Sequence, residues 1–445
     1  MTLFWKECRK TVCSLTFLLF AAVAVIFYLS QLTEPLKNPK TQPQPGQEGS
    51  YGTVSKDIPE VVMPAAVSSL YVEFANNSYI AYPVGFYKSV RLSGEKQAEM
   101  AQILSGLTGV PAEEILALAE EGIFGTGGGS IEIGGGEGLQ PDGNGGYTMT
   151  LPEEEAPSQE ENSLSPREGL TYEDFCGLMV RADRLIGGGS SYGDTFRTDT
   201  FGRVDRTYEE AMEEYRVFVE QDRVTGAYAR LFCDYMGAMA ALLPVFVAVA
   251  MGLRDRGARM QELIWSRRIS ALRLTLTRYA AMVSMLLLPF LLLAGWAMIR
   301  VYSLYSGTGL ALDPLAFPAY LLGWILPSVL VSTGVGMCLT ELTDTPIAAG
   351  VMLLWWFLDL NSGLWQMDGG YGGFRLMPRH NTLGGGQTFA GCFGTLAANR
   401  LFFAALGILL ALLAALILEA KRRGKFRGID SIPAVCRYRG RKSAA

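Results

Sequence analysis

The chain offers few side chains that could carry out catalysis. Residues 189–193, GSSYG, match the G-x-S-x-G pattern in which a serine nucleophile follows a buried strand. Such a serine needs a histidine to activate it, and the only histidine, His380, lies far along the chain. The residues before Gly189 follow a helical pattern. We therefore interpret the motif as a glycine-rich helix end and loop, and a membrane-embedded hydrolase is disfavoured.

Metal and nucleotide chemistry also lack their usual residues. The chain has no H-E-x-x-H motif, and its seven cysteines include no C-x-x-C pair. A phosphate-binding G-x-x-x-x-G-K-[ST] motif is absent too, because the only Gly-Lys pair, Gly424-Lys425, is followed by Phe426. The sequence predicts no enzyme activity and no cofactor or metal bound by this chain.

The composition points to a membrane protein. Hydrophobic residues make up 49% of the 445 residues. A helix needs about 20 apolar residues to cross a hydrocarbon core of roughly 30 Å. We predict an all-α polytopic fold with six such segments, the first being an uncleaved anchor rather than a signal peptide. The predicted spans are residues 11–30, 235–253, 279–302, 317–339, 346–360 and 401–418.

The basic residues indicate which side of the membrane each loop faces. Lys and Arg are retained on the cytoplasmic side. Residues 1–10, 254–278, 340–345 and 419–445 hold 3, 7, 0 and 9 basic residues, which is 19 of the 38 in the chain. We therefore expect both termini to be cytoplasmic and residues 31–234 to form a large extracytoplasmic domain between the first two spans.

That domain is strongly acidic and, by its spacing, mostly helical. Residues 31–234 contain 33 acidic and 15 basic residues, a net charge of −18. This disfavours nucleic acid binding. It is compatible with a solvated surface or with attraction of cationic substrates.

Residues 125–169 are rich in Gly and Glu and predict a disordered insertion. Thr207 and Glu210 have the T-x-x-E spacing of a capping box at the start of a helix.

Ionisable residues would mark a proton or ion path if they lay inside the spans. The predicted spans contain almost none, since Arg300 and Asp359 fall near span ends, where long side chains can reach water. We therefore expect the energy for any transport to come from another source than an ion gradient.

The loop at 254–278 is longer than two antiparallel helices need. Its middle, residues 258–266, predicts a short amphipathic helix. Residues 257–280, GARMQELIWSRRISALRLTLTRYA, resemble the loop between the second and third spans of bacterial ABC-2 type permeases, the membrane subunits of ATP-driven exporters. The matching positions are Gly257, Glu262, Leu263, Ser266, Arg267, Arg268, Ile269, Ser270 and Arg278.

The resemblance covers the first span and residues 236–420, and it implies an energy source. In such permeases this loop forms a coupling helix that docks on a separate ATPase subunit. The resemblance implies two ATPase copies carrying ATP and Mg, and a second permease that completes a homo- or heterodimer. It also implies a place in the bacterial cytoplasmic membrane. Arg267 stands where the family often has Pro, and residues 1–10 are shorter than its usual interfacial helix. The implied coupling residues are Gly257, Met260, Glu262, Leu263, Ile264, Trp265, Arg267 and Arg268.

Two interpretations remain beside an exporter permease. A membrane-anchored sensor or binding protein would use the acidic domain but would need only one or two spans. A four-span permease of the mechanotransmission type would differ in span count. The outside loop 361–399 is rich in Gly, and its residues 387–398 are compatible with either a short re-entrant helix or a flexible loop.

Overall fold

A computed structural model describes residues 2–47, 49–83, 87–120, 139–141, 147–149, 164–258, 269–362, 371 and 375–425. This part of the chain is mostly helical. Its helices are α1 (Thr2–Val12), α2 (Leu15–Leu32), α3 (Pro59–Ala75), α4 (Gly94–Thr108), α5 (Ala112–Glu120), α6 (Tyr172–Ile186), α7 (Arg197–Phe201), α8 (Tyr208–Glu220), α9 (Thr225–Leu242), α10 (Pro244–Gly257), α11 (Ala271–Leu304), α12 (Ala316–Tyr320), α13 (Leu326–Thr343), α14 (Ile347–Ser362) and α15 (Gly386–Arg422). A π-helical turn, Leu321–Ile325, joins α12 to α13.

The chain divides into two compact units. Residues Gly52–Asp205 form one, while Met1–Tyr51 and Arg206–Ala445 form the other. We call them the inserted unit and the helical unit. The predicted extracytoplasmic domain, 31–234, contains the whole inserted unit, and its two ends, 31–51 and 206–234, group with the helical unit.

The inserted unit has its own core. Helices α3, α4 and α6 bury Leu70, Leu104, Phe175 and Met179 against one another. The apolar residues of α6 therefore face the core of this unit. The strands are short antiparallel pairs, and the residues described within the predicted disordered insertion include one of them. The pairs join β1 (Thr53–Ser55) to β6 (Arg203–Asp205), β2 (Tyr79–Ala81) to β3 (Lys88–Val90), and β4 (Leu139–Pro141) to β5 (Tyr147–Met149).

Five helical segments of the described chain are long and apolar enough to cross a membrane. Helices suit this task because all their main-chain hydrogen bonds are satisfied internally. The predicted span 346–360 corresponds to α14, which at 16 residues is shorter than the other five. The five segments are Leu15–Leu32, Thr225–Asp255, Ala271–Leu304, Ala316–Thr343 and Gly386–Arg422.

The N-terminal segment is a helix of its own. Helix α1 ends at Val12, and α2 begins after Ser14, whose hydroxyl accepts a hydrogen bond from the Phe17 N–H at 3.2 Å. Hydroxyl caps of this kind satisfy a donor that a helix start leaves unpaired. The predicted first span, 11–30, therefore contains the last turn of α1 and a break before the apolar helix proper.

Close packing of α13 on its neighbours depends on glycine. A Cβ at Gly407 of α15 would lie 2.6 Å from the carbonyl carbon of Leu330, and one at Gly334 would lie 2.8 Å from the Gly407 oxygen. A Cβ at Gly336 would lie 2.7 Å from that of Ala248 in α10. Small residues let helix backbones approach closely where no apolar side chain separates them. These glycines fix α13 between α10 and α15.

The last two helices differ from prediction. Helix α15 is continuous over 37 residues, so residues 387–398 are its first third rather than a separate helix. Residues 375–385, part of the predicted outside loop 361–399, turn back against the bundle, where Leu376 and Met377 are 0% and 4% exposed. This segment therefore belongs to the core of the helical unit.

Candidate functional site

Four segments meet at one end of the helical unit through charged side chains. Arg278, near the start of α11, lies 2.6 Å from Asp255 at the end of α10. Its Nε lies 3.8 Å from Glu7 of α1, and Glu7 also pairs with Lys10 at 2.9 Å. Glu7 has only 8% of its side chain exposed. The ion pairs tie the N-terminal helix to both ends of the 256–277 loop.

The ends of α13 and α15 join the same region. Lys421, with 6% of its side chain exposed, pairs with Asp344 at 2.8 Å and also contacts the Glu341 main chain. Arg422 donates to the Ile269 carbonyl at 2.7 Å. Asp344 has a φ of +60°, which aspartate tolerates better than most residues. The described residues of all four segments predicted to be cytoplasmic therefore lie at one end of the bundle, which we call the charged end.

A cleft opens at the charged end. Its volume is about 80 Å³, and it lies between α1, α10, α11, α13 and α15. Three acidic and three basic side chains stand beside three methionines, so its walls change from ionic to apolar towards the membrane helices. Its lining includes Glu7, Lys10, Met251, Arg254, Asp255, Arg278, Met282, Met337 and Glu341.

The described residues include the two ends of the predicted coupling loop. Gly257 is the last residue of α10 and is exposed. Ser270 caps α11, accepting a hydrogen bond from the Arg273 N–H at 3.3 Å. The matched Arg278 is the centre of the ion pairs described above. The remaining predicted coupling residues lie outside the described part of the chain: Met260, Glu262, Leu263, Ile264, Trp265, Arg267 and Arg268.

A second polar cluster lies at the opposite end. Arg230, on α9, is fully buried, and its two terminal nitrogens each lie 2.9 Å from an oxygen of Asp222. A sharp corner at Val224, which has a φ of +57°, precedes α9 and follows Asp222. The guanidinium also lies over the Phe389 ring, 5.4 Å from its centre. A bidentate pair of this geometry fixes both partners.

The charged groups of this cluster hold the main chain of residues 375–384. Arg230 donates to the carbonyls of Leu383 and Gly384 at 3.3 and 3.1 Å. Asp234, one turn further along α9, accepts the Asn381 N–H at 3.0 Å. Tyr371, whose pKa burial raises, lies with its hydroxyl 3.5 Å from the same carboxylate.

Helices α14 and α15 add a second set of such bonds. Asp359 accepts the N–H groups of Leu376 and Met377 at 3.0 and 2.9 Å. Arg400, 5% exposed, donates to the Arg375 carbonyl at 2.7 Å and the Leu376 carbonyl at 3.3 Å. Its other nitrogens donate to neutral oxygens: Asn399 Oδ1 at 2.9 Å and Ser328 Oγ at 3.1 Å.

The sequence analysis missed this cluster because it stopped each span at a charge. Asp234 immediately precedes the predicted span 235–253, and Arg400 immediately precedes 401–418. Both helices continue through these residues and bury them. At 1.5 Å per residue, Asp234 and Arg400 each lie about 32 Å along their helices from the charged end. That distance matches a hydrocarbon core, so the cluster falls near its edge rather than at its centre.

The G-x-S-x-G motif has the structure expected of a helix end. Helix α6 ends at Ile186, and Gly187, Gly188 and Gly189 all have positive φ. The Ser190 hydroxyl donates to Asp183 Oδ1 at 2.7 Å. The preceding element is thus a helix, as predicted, and not the strand that a nucleophile turn requires.

No family model, curated protein or solved structure matches the chain. Its class therefore follows from its own structure. In the part of the chain that the structure describes, five long apolar helical segments, close glycine packing and charges at the two ends of the bundle indicate a multi-pass helical membrane protein.

Proposed function

We propose that the chain is the permease subunit of an ATP-driven transporter of the ABC-2 type, acting as an exporter. The single observation that carries this proposal is the set of ion pairs at the charged end. Asp255 and Arg278 join the two ends of the predicted coupling loop, and Glu7 joins them to the N-terminal helix. A movement of that loop would therefore be transmitted to α10, α11 and α1 together.

The proposed topology places the charged end in the cytoplasm. All four segments there were predicted to be cytoplasmic, and long helices lead from them to the opposite end. Lys40, after α2, donates its main-chain N–H to the hydroxyl of Tyr305, after α11, at 2.8 Å. Lys40 and Arg206, which stand before and after the inserted unit in the sequence, both pair with Glu214 at that opposite end, so we place Gly52–Asp205 outside.

We further propose that α14 is the sixth span. It begins beside Asp344, which pairs with Lys421 at the charged end. Near its other end, Asp359 binds residues that also bind Arg400 at the opposite end. A helix of 16 residues covers about 24 Å, close to the thickness that a span must cross once local thinning is allowed.

The motor is a separate protein. The sequence lacks a phosphate-binding loop, so two ATPase subunits would bind ATP and Mg and dock on residues 257–270. A second permease would complete the translocation path. A membrane-anchored sensor has no use for five long apolar helices, and a four-span permease would leave at least one of them unexplained.

Affinity purification of the tagged full chain from its native membrane tests this function. We expect the purified wild type to bring an ATPase with it and to hydrolyse ATP in a vanadate-sensitive manner. The variant Glu262→Lys/Ile264→Asp should lose both, because it reverses the character of the docking surface. Glu209→Lys, a charge reversal at an exposed site on α8, is the matched control. A wild-type preparation without ATP hydrolysis, or a loop variant that keeps it, would refute the proposal.

Cysteine labelling tests the topology independently. Single cysteines introduced at the exposed residues Arg273 and Glu209 should react with a membrane-impermeant maleimide from opposite sides. We expect Glu209→Cys to react in intact cells and Arg273→Cys only after the membrane is opened. The reverse pattern would invert the proposed orientation.

A further inference from the structure

The side chains at the opposite end of the bundle bind a loop through its main chain. We call residues 375–384 the plug segment. Eight hydrogen bonds reach its main-chain carbonyl and N–H groups from three helices. The five side chains that make these bonds, here called the main-chain site, are Arg230, Asp234, Asp359, Asn399 and Arg400.

A connecting loop does not need this arrangement. Main-chain groups of a loop are ordinarily satisfied by water, and burying ionised groups costs free energy unless they are hydrogen-bonded. Here the side chains of two arginines and two aspartates form hydrogen bonds with neutral main-chain groups. Hydrogen bonds in which one partner is ionised are stronger than those between neutral groups, so the set is strong enough to hold a ligand.

The two arginines of the main-chain site are also held by residues outside the plug segment. Asp222 holds Arg230 with two bonds of 2.9 Å, and Ser328 holds Arg400 at 3.1 Å. Donors and acceptors fixed in this way would keep their positions if the plug segment left. The Gly384–Gly385 junction, with a φ of +74° at Gly385, provides a point about which it could turn.

We propose that the plug segment occupies a binding site for a peptide, and that the substrate of the transporter is a peptide carrying basic and apolar side chains. Main-chain groups are common to every peptide, so a site that binds them accepts many sequences. This inference rests on the proposed function and names its substrate class.

The side chains of the plug segment indicate the character of that peptide. Leu376 and Met377 are buried in one apolar cluster with Phe403 and Leu242. Two residues of the plug segment, Arg375 and Arg379, are basic. The carboxylates of Asp359 and Asp234 both interact electrostatically with the Arg379 guanidinium. The net charge of −18 on residues 31–234 would attract the same kind of ligand.

The binding test uses the full chain in lipid nanodiscs. The probe is a fluorescein-labelled decapeptide with the sequence of residues 375–384, RLMPRHNTLG, followed by fluorescence anisotropy. The receptor is Leu376→Ala/Met377→Ala, which loosens the plug segment and leaves the main-chain site intact. We expect it to bind the probe at least about tenfold more tightly than wild type, because the competing segment is weakened.

Two modified probes separate main-chain binding from side-chain binding. N-methylation of the probe at the positions of Leu376, Met377 and Asn381 removes three N–H donors and keeps the side chains. We expect a loss of at least about tenfold. In the receptor, Asp234→Asn should also weaken binding of the probe. Asp313→Asn is the matched control, since its carboxylate accepts a main-chain N–H within its own turn, from Leu315 at 2.8 Å.

Competition identifies the substrate class. An unrelated decapeptide of alternating Lys and Leu should displace the probe, whereas the non-peptide hydrophobic cation tetraphenylphosphonium should not. Equal binding of the N-methylated probe, displacement by the non-peptide cation, or failure of the Lys-Leu peptide to compete would each overturn the proposal. These measurements need no ATPase, so they can succeed or fail independently of the co-purification test.

Discussion

The Arg278 guanidinium, two turns into α11, lies 2.6 Å from the Asp255 carboxylate near the end of α10 and so joins the two helices on either side of residues 258–270. Each side chain is about a quarter exposed, at 25% and 24%. Pairs of that exposure contribute about 0 to 1 kcal/mol to stability. The position of this pair, between α10, α11 and α1, therefore points to a mechanical role rather than a stabilising one.

Asp255→Asn should separate these two roles. We expect the midpoint of thermal unfolding in detergent to change little, and ATP hydrolysis by the purified complex to fall, because the loop would no longer move α10 and α11 together. Arg216→Gln, which removes an exposed pair on α8, is the control and should change neither. A large loss of thermal stability with unchanged hydrolysis would show that the pair is structural.

Arg230 should be among the least tolerant residues of the helical unit. Arg230→Met leaves Asp222, whose side chain is 10% exposed, without its partner. Losing one member of a buried pair costs about 3 to 5 kcal/mol. Arg230→Lys should also be costly, since an ammonium cannot make the two parallel bonds of a guanidinium. The double variant Asp222→Asn/Arg230→Met should unfold at a higher temperature than Arg230→Met alone; if it does not, the pair is not the source of the loss.

The sequence predicted local features with a short-range cause. The capping box is present as expected, with Thr207 accepting the Glu210 N–H and Glu210 accepting the Thr207 N–H. Caps and apolar periodicity act within one or two turns of helix, so a single sequence suffices to find them.

Long-range pairing explains what the sequence did not reveal. Arg230 and Arg400 can be buried because Asp222 and Ser328 lie close to them in space. A hydropathy scale, by contrast, predicts that every charged side chain is exposed to water. Contacts of Trp355 and Trp356 also join residues distant in the sequence: Trp356 donates to the Ala238 carbonyl at 2.9 Å, and the Trp355 ring lies 5.9 Å from that of Phe403.

Gly407 tests the close packing of α13 and α15. Gly407→Ala places a methyl group 2.6 Å from a Leu330 main-chain atom, so the helices must separate. Overpacking of this kind costs about 1 to 3 kcal/mol. Gly394→Ala, in the same helix but with no atom within 4 Å of the new methyl group, should be neutral or slightly stabilising. Thermal unfolding of both variants in the same detergent measures the difference, and equal midpoints would contradict the packing described.

Glu73 should make the stability of the inserted unit depend on pH. Burial raises the pKa of its carboxyl above the usual 4.5, although hydrogen bonds from Tyr192 at 2.8 Å and the Ile80 N–H at 3.2 Å act in the opposite direction. An acid whose pKa is higher in the folded state binds its proton more tightly there than in the unfolded chain. The resulting stabilisation is complete below the pKa of the unfolded chain and is lost as pH rises through the folded pKa.

Hydrogen exchange of Gly52–Asp205 in the full chain should thus show less protection as pH increases through that window, after correction for intrinsic rates. Glu73→Gln should remove this dependence, whereas Glu95→Gln, at an exposed position, should keep it; the same slope in Glu73→Gln as in wild type would assign the effect to another group.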